Sequence, residues 1–206
     1  MRYTGARNRL SRREGIDLGL KTPGSKNHAR LLKKLNVLPG QHGTRGRRKV
    51  SDYAKQLREK QRLRFMFGVT NSQLKKYFKN AIVKKGNTAY YLAQYLEQRL
   101  DNIVYRIGLA PTRPAARQLV THGHIKVGDK VVSIPSYQVR VGEIIGVENE
   151  KTLKIPFVEQ MLANKDLLMP AWIEKKASVG KLIAEPEQLE IEKQINLQSV
   201  IEFYSR

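Results

Sequence analysis

The side chains with the most specific chemistry in this sequence lie between positions 99 and 124: Arg99, Arg106, Arg113, Arg117, His122 and His124. They are rich in hydrogen-bond donors and hold no nucleophile. A guanidinium is a planar fork that pairs bidentately with phosphate oxygens, so phosphate binding is the chemistry this set supports. Arg113 and Arg117 stand four apart and share one face of a helix. Thr112 is a good N-cap for that helix, and Pro114 is tolerated in its first turn. The pair therefore sits at a helix N-terminus, where backbone N–H groups and the macrodipole favour a phosphate. Arg99 and Arg106 are seven apart. Both are candidate contacts, and Arg99 has the alternative of bridging to Asp101 or Glu97.

Two helices and a small sheet must position these groups. Leu96, Leu100, Ile103, Val104 and Ile107 keep a 3.6-residue period, which predicts one helix from Thr88 to Gly108, ended by that glycine. Ala116, Leu119 and Val120 form the inner face of the second helix, and Gly123 stops it. The period then falls to two through Ile125, Val127, Val131, Val139, Val141, Ile145 and Val147. That is a short antiparallel sheet, with Gly128-Asp129 as its first turn.

The charge balance names the class of partner. Among 206 residues, Lys and Arg number 39 against 18 Asp and Glu, a net +21. Residues 1–65 carry +15, residues 66–152 carry +7 and residues 153–206 carry −1. A field of this strength calls for a polyanion. A membrane surface would need a long apolar run or a basic amphipathic anchor. The N-terminal arginines Arg2, Arg7, Arg9, Arg12 and Arg13 are instead broken by Gly5 and Gly15, and no signal peptide or transmembrane span is read. Cysteine is absent, which removes disulfides, thiolate nucleophiles and Cys-ligated zinc and fits a reducing compartment. The four histidines form no ligand set: His122 and His124 lie two apart on a turn, with no carboxylate at ligand spacing. No metal or cofactor is expected.

The chain divides into four segments. Residues 1–50 read as a basic arm containing Arg12, Arg13, His42, Arg45, Arg47, Arg48 and Lys49. Leu10–Gly15 could carry a helical turn or two and the leucines between Ala29 and Leu38 could dock, with a solvated tail as the bland alternative; on RNA a Gly-rich basic segment can follow a phosphate backbone and fold on contact. His42, close to Gly40 and Gly43, suits hydrogen bonding to RNA better than metal ligation. Residues 51–96 read as a helical body. Ser51-Asp52 caps a helix whose face carries Lys55 and the candidate RNA contacts Arg58 and Arg62, and Thr70-Asn-Ser-Gln73 is a capping box. Leu74, Tyr77, Phe78, Ala81 and Ile82 form the apolar face of that second helix. Residues 97–150 are the module described above. Residues 151–206, with helical patterns at Ile155–Leu162 and Leu197–Tyr204, are expected to fold back on the helical body. The fold class is α+β: a mostly helical body with a basic N-terminal arm, plus a small inserted module of two helices and a short antiparallel sheet.

Arg99-Leu-Asp101, Thr112-Arg113, Ala116-Arg-Gln-Leu-Val120, His122-Gly-His124 and Pro135-Ser-Tyr137 closely resemble the RNA-binding module of the fourth small-subunit ribosomal protein family. Members usually place Asn-Gly at the turn where this chain has Gly128-Asp129. The flanks extend the resemblance: Leu10-Ser-Arg-Arg-Glu-Gly15, Pro39-Gly-Gln-His-Gly43, Ser51-Asp-Tyr53, Leu57-Arg-Glu-Lys-Gln61, Pro170-Ala-Trp172 and Val200-Ile-Glu-Phe-Tyr204. Many members hold an N-terminal zinc ion with four cysteines, so this chain resembles the metal-free branch. The resemblance implies a ribosomal protein of the cytoplasm or an organelle, with Arg113, Arg117, Gln118, His122, His124 and Lys126 on the RNA side. It implies early binding to a helix junction in small-subunit ribosomal RNA, nucleation of assembly, and a contact with neighbouring subunit proteins that affects decoding accuracy. It also places Arg45, Arg47, Arg48 and Lys49 near the channel by which messenger RNA enters. No membrane and no homo-oligomer are expected. Two other classes compete. Arg99-Leu-Asp101 superficially matches the catalytic triplet of pseudouridine synthases, but no segment is left to supply a catalytic sheet. Some family members also repress their own messenger, a role that can coexist with assembly.

Overall fold

In a computed structural model, residues 3–45, 49–164, 169–186, 191 and 194–206 are described. The chain forms two compact units, Met1–Leu92 with Gln188–Arg206, and Ala93–Glu187. It passes from one to the other within a single helix, α5 (Thr88–Glu97).

The first unit is helical. Its α3 (Asp52–Met66) starts where Ser51 Oγ accepts the Ala54 N–H. Its α4 (Asn71–Val83) starts at a complete capping box, Thr70 with Gln73, so both predicted caps form. Leu63, Leu74, Phe78 and Ala81 are buried, but Ile82, expected on the same apolar face, is exposed. The C-terminal helix packs on α3 and α4. It spans Leu197–Ser205 and is labelled α10 here. Phe78 and Tyr204 stack with ring centroids 4.9 Å apart, and Gln56 donates to Glu202 at 2.8 Å. Burial pushes the Tyr204 hydroxyl up to about 12.

The expected arm is partly a folded piece of this unit. It holds α1 (Arg7–Glu14) and α2 (Lys26–Lys33), which pack on each other, and α1 also packs on α3. Leu10, Leu18, Leu20 and Leu31 are buried. At roughly 1.5–3 kcal/mol for each fully buried leucine, this outweighs the tendency of a basic segment to stay solvated.

The second unit carries the sheet. The helix predicted over Thr88–Gly108 is two helices, because α5 ends at Glu97 and α6 spans Leu100–Arg106. Arg99 between them is extended (φ −64°, ψ 136°). The cause is tertiary. The Leu100 and Asp101 N–H groups donate to the carbonyls of Tyr137 and Pro135, and the Val139 N–H donates to the Gln98 carbonyl. The segment 135–139 thus takes hydrogen bonds that a continuous helix would have made internally. Next come α7 (Arg113–Thr121), β1 (Ile125–Val127), β2 (Lys130–Val131) and β3 (Ile144–Val147). Then follow α8 (Glu150–Leu153), α9 (Pro156–Ala163), β4 (Ile173–Lys176) and β5 (Val179–Leu182). All pairings are antiparallel, in the order β2-β1-β3-β5-β4.

The strands β4 and β5 therefore extend the module's sheet through β3, whereas the sequence reading sent all of residues 151–206 to the helical body. Val158, Trp172, Ile173 and Leu182 join the same core as Ile103, Ile107, Leu119 and Ile125. Gly180 makes that contact close: a Cβ there would lie 2.4 Å from Ile107 Cδ1.

Candidate nucleic-acid interface

The break at Arg99 makes room for the centre of the site. From its extended backbone the Arg99 side chain folds back onto Asp101, with Nε donating to Oδ1 at 3.0 Å and an Nη to Oδ2 at 2.6 Å. This is the bidentate fork geometry, fully enclosed: Arg99 has no exposed side-chain surface and Asp101 has 5%. Arg117 donates to the same Asp101 oxygen at 3.3 Å. One turn earlier, Glu97 receives a second fork, from Arg106 Nε at 3.1 Å and Arg106 Nη2 at 2.7 Å. Asn102 donates to the Glu97 carboxylate at 2.6 Å and to its carbonyl at 3.0 Å, then accepts from Arg113 Nε at 2.8 Å. The Arg113 guanidinium lies 4.7 Å from the centre of the Tyr105 ring.

Four guanidiniums thus surround two buried carboxylates, Arg113 by way of Asn102, a formal +2. Burial lowers the Arg113 pKa from its ordinary value; Arg106 lowers it further, while Glu97 opposes both. A guanidinium starting so high stays protonated throughout. The carboxylates fix the angle of each fork and use part of its donor capacity. Arg106 and Arg117 keep 17% and 23% of their side-chain surface for a ligand.

Two expectations need correction. Arg99 has no surface with which to touch RNA and takes the alternative of bridging to Asp101. The α7 N-terminus is also no open cradle of amides. Thr112 Oγ1 takes the Ala115 N–H, the Ala116 N–H donates to the Thr112 carbonyl, and Pro114 has none.

The remaining module residues lie around the C-terminal end of α7. Gln118 and His122 are exposed. His124 is half-buried, with Nδ1 3.0 Å from Thr152 Oγ1, and its ring centre is 6.2 Å from that of His122. Lys126, half-buried on β1, runs its stem past Gly146.

In the helical unit several predicted contacts have structural partners. Arg12 donates to the Val37 and Leu38 carbonyls at 3.0 and 3.1 Å. Arg58 pairs with the buried Glu14 at 3.1 Å while keeping 47% of its side-chain surface. Arg62 donates to the Glu14 carbonyl at 2.8 Å and pairs with Glu59. Desolvation raises the Glu14 pKa, and Arg58 and Arg62 pull it back down. Arg13, His42, Arg45 and Lys49 are exposed. Arg47 and Arg48 lie outside the described residues.

Sequence reasoning missed Asn102 and the role of Glu97. A clue was present: Glu97 and Asp101 are the only acids between Glu59 and Asp129, and they fall among arginines. Among the described residues no cluster of three His, Cys, Asp or Glu could hold a metal, and no helix is long and apolar enough to cross a membrane.

Comparison with known proteins gives the family. The family described as ribosomal protein S4/S9 N-terminal domain matches residues 2–97, and the S4 domain matches residues 98–145. The small ribosomal subunit protein uS4 of a Sulfurihydrogenibium species is 44% identical over 99% of this chain and 98% of its own length. The uS4 proteins of Xylella fastidiosa strain M12 and Aquifex aeolicus are 43% and 45% identical, each over 100% of this chain and 99% of their own lengths. The sequence motifs, the α+β fold and this end-to-end similarity agree, and the chain belongs to the uS4 family of small ribosomal subunit proteins.

Proposed function

We propose that this chain is a structural component of the small ribosomal subunit that binds ribosomal RNA directly and early and nucleates assembly at a helix junction. The observation that carries the reading is the arginine cluster. Arg106, Arg113 and Arg117 are held in fixed orientations by Glu97, Asn102 and Asp101. A-form RNA hides its base edges in a narrow groove, so a protein must recognise a junction by shape. Rigid forks at set positions suit that task, because a junction holds its phosphates in one arrangement and a plain duplex in another. Gln118, His122, His124 and Lys126 extend the contact in this reading. The exposed Arg13, His42, Arg45 and Lys49, with Arg47 and Arg48, contact RNA or hold messenger where it enters. Neighbouring subunit proteins and an effect on decoding accuracy complete the proposal, with the cytoplasmic or organellar ribosome as its location.

No catalytic role is proposed. In the triplet resembling a pseudouridine synthase, both carboxylate oxygens of Asp101 accept from Arg99, one of them also from Arg117, and only 5% of its side chain is exposed, so a nucleobase could not reach it.

The test is chemical footprinting of the purified chain on naked small-subunit ribosomal RNA. Protection confined to one multi-helix junction is expected. Uniform weak protection along all duplexes, or none in dilute buffer, would remove the reading.

A further inference from the structure

The helical unit contains a strongly basic surface that no motif marks. Between Glu59 and Glu97 the chain holds eight Lys and Arg and no acid. Five of the eight, Lys75, Lys76, Lys79, Lys84 and Lys85, belong to α4 and the turn after it, and all five are exposed. On α4 the burial pattern puts Leu74, Phe78 and Ala81 inward, so Lys75, Lys76 and Lys79 share the outward face. Lys75, Lys76, Lys79 and Lys85 have no ion-pair partner among the described residues. The turn after the helix is pinned. Tyr91 donates its hydroxyl to the Lys85 carbonyl at 3.0 Å, and the Lys84 ammonium sits 4.8 Å from the Tyr91 ring centre.

A helix of thirteen residues is about 20 Å long, enough for a row of lysines to face several successive phosphates. The face lacks the apolar stripe a membrane anchor needs: its exposed apolar residues, Ile82 and Val83, sit together at one end. Ammonium groups on flexible stems impose no bidentate geometry, so they suit the regular backbone of a duplex rather than one particular junction.

We propose that the lysine face of α4, continued by Lys84 and Lys85, is a second RNA-contacting surface whose ligand is the phosphate backbone. It supplies much of the salt-dependent, sequence-independent part of the affinity, while the braced arginines supply the fit. The proposal rests on the rRNA-binding reading above.

The experiment is a titration of naked small-subunit rRNA with the full chain over a series of salt concentrations. It compares the wild type with K75Q/K76Q/K79Q and K75R/K76R/K79R. Each lost phosphate contact removes about 0.7–0.9 from the slope of log K against log salt. The glutamine variant should lose about two units of slope with an unchanged melting temperature, and the arginine variant should keep the wild-type slope. Lysine acetylation gives an independent readout: bound RNA should protect Lys75, Lys76 and Lys79. A wild type that binds normally beside a glutamine variant with unchanged slope overturns the surface alone and leaves the face to an acidic protein. A wild type that ignores rRNA overturns the surface and the proposed function together.

Discussion

Two basic regions of this molecule use charge in opposite ways. In the second unit Arg99, Arg106, Arg113 and Arg117 gather on Glu97 and Asp101, and half of their formal charge is cancelled inside the protein. In the first unit the lysines of α4 stand exposed with no acid nearby in the chain. Basic side chains can therefore do different work. Braced guanidiniums lose freedom and reach before a ligand arrives, which favours one geometry over others. Exposed ammoniums keep their counterions until phosphate displaces them, which gives affinity that salt erodes.

The contrast can be broken most severely at its buried anchor. Asp101→Ala leaves the enclosed Arg99 charge uncompensated and should cost about 3–5 kcal/mol of stability; urea denaturation of the full chain measures it. No loss would mean that Arg99 escapes to solvent and the brace is dispensable. Next in size is Gly180→Ala, which drives a methyl into Ile107 and should cost about 1–3 kcal/mol. Its effect should fall on the sheet-bearing unit, visible as loss of amide-exchange protection in β3 and β5. Arg117→Ala should weaken binding to the rRNA junction and lower the salt slope by about one unit. An unchanged slope would strike Arg117 from the contacts and leave it purely structural.

The smallest effect sharpens the comparison from the other unit, which has a buried acid of its own. The Glu14 pKa is raised in the folded state, so the native protein holds that proton more tightly than the unfolded chain. As pH rises from below its ordinary value through the raised one, Glu14 subtracts stability. Relative to Glu14→Gln, the wild type should lose stability as pH rises through that window and then level off. A difference that grows in favour of the wild type would show that Arg58 and Arg62 outweigh burial.

How much was legible in the chain depended on whether the deciding interaction was local. The caps at Ser51, Thr70 and Thr112 act within one turn, and all form where predicted. The Gly128-Asp129 turn joins β1 to β2 as expected. The break at Gln98-Arg99 was hidden, because the apolar period runs straight through it while the segment that imposes it lies some 40 residues later. The pairing of β5 with β3 was hidden for the same reason. In the site, the arginines were visible as residue types. Their division into an enclosed strut and partly exposed forks was not, since burial depends on what packs above each one.

The residue order alone determined the polyanion-seeking charge, the absence of thiol chemistry, the helix starts and the family motifs. These depend on composition or on neighbours within a few positions. Tertiary structure decided which arginine is enclosed, where the long helix breaks and which sheet receives the late strands. Each of those outcomes depends on hydrogen bonds or burial between distant segments, and neither hydrophobic period nor capping pattern records such partners.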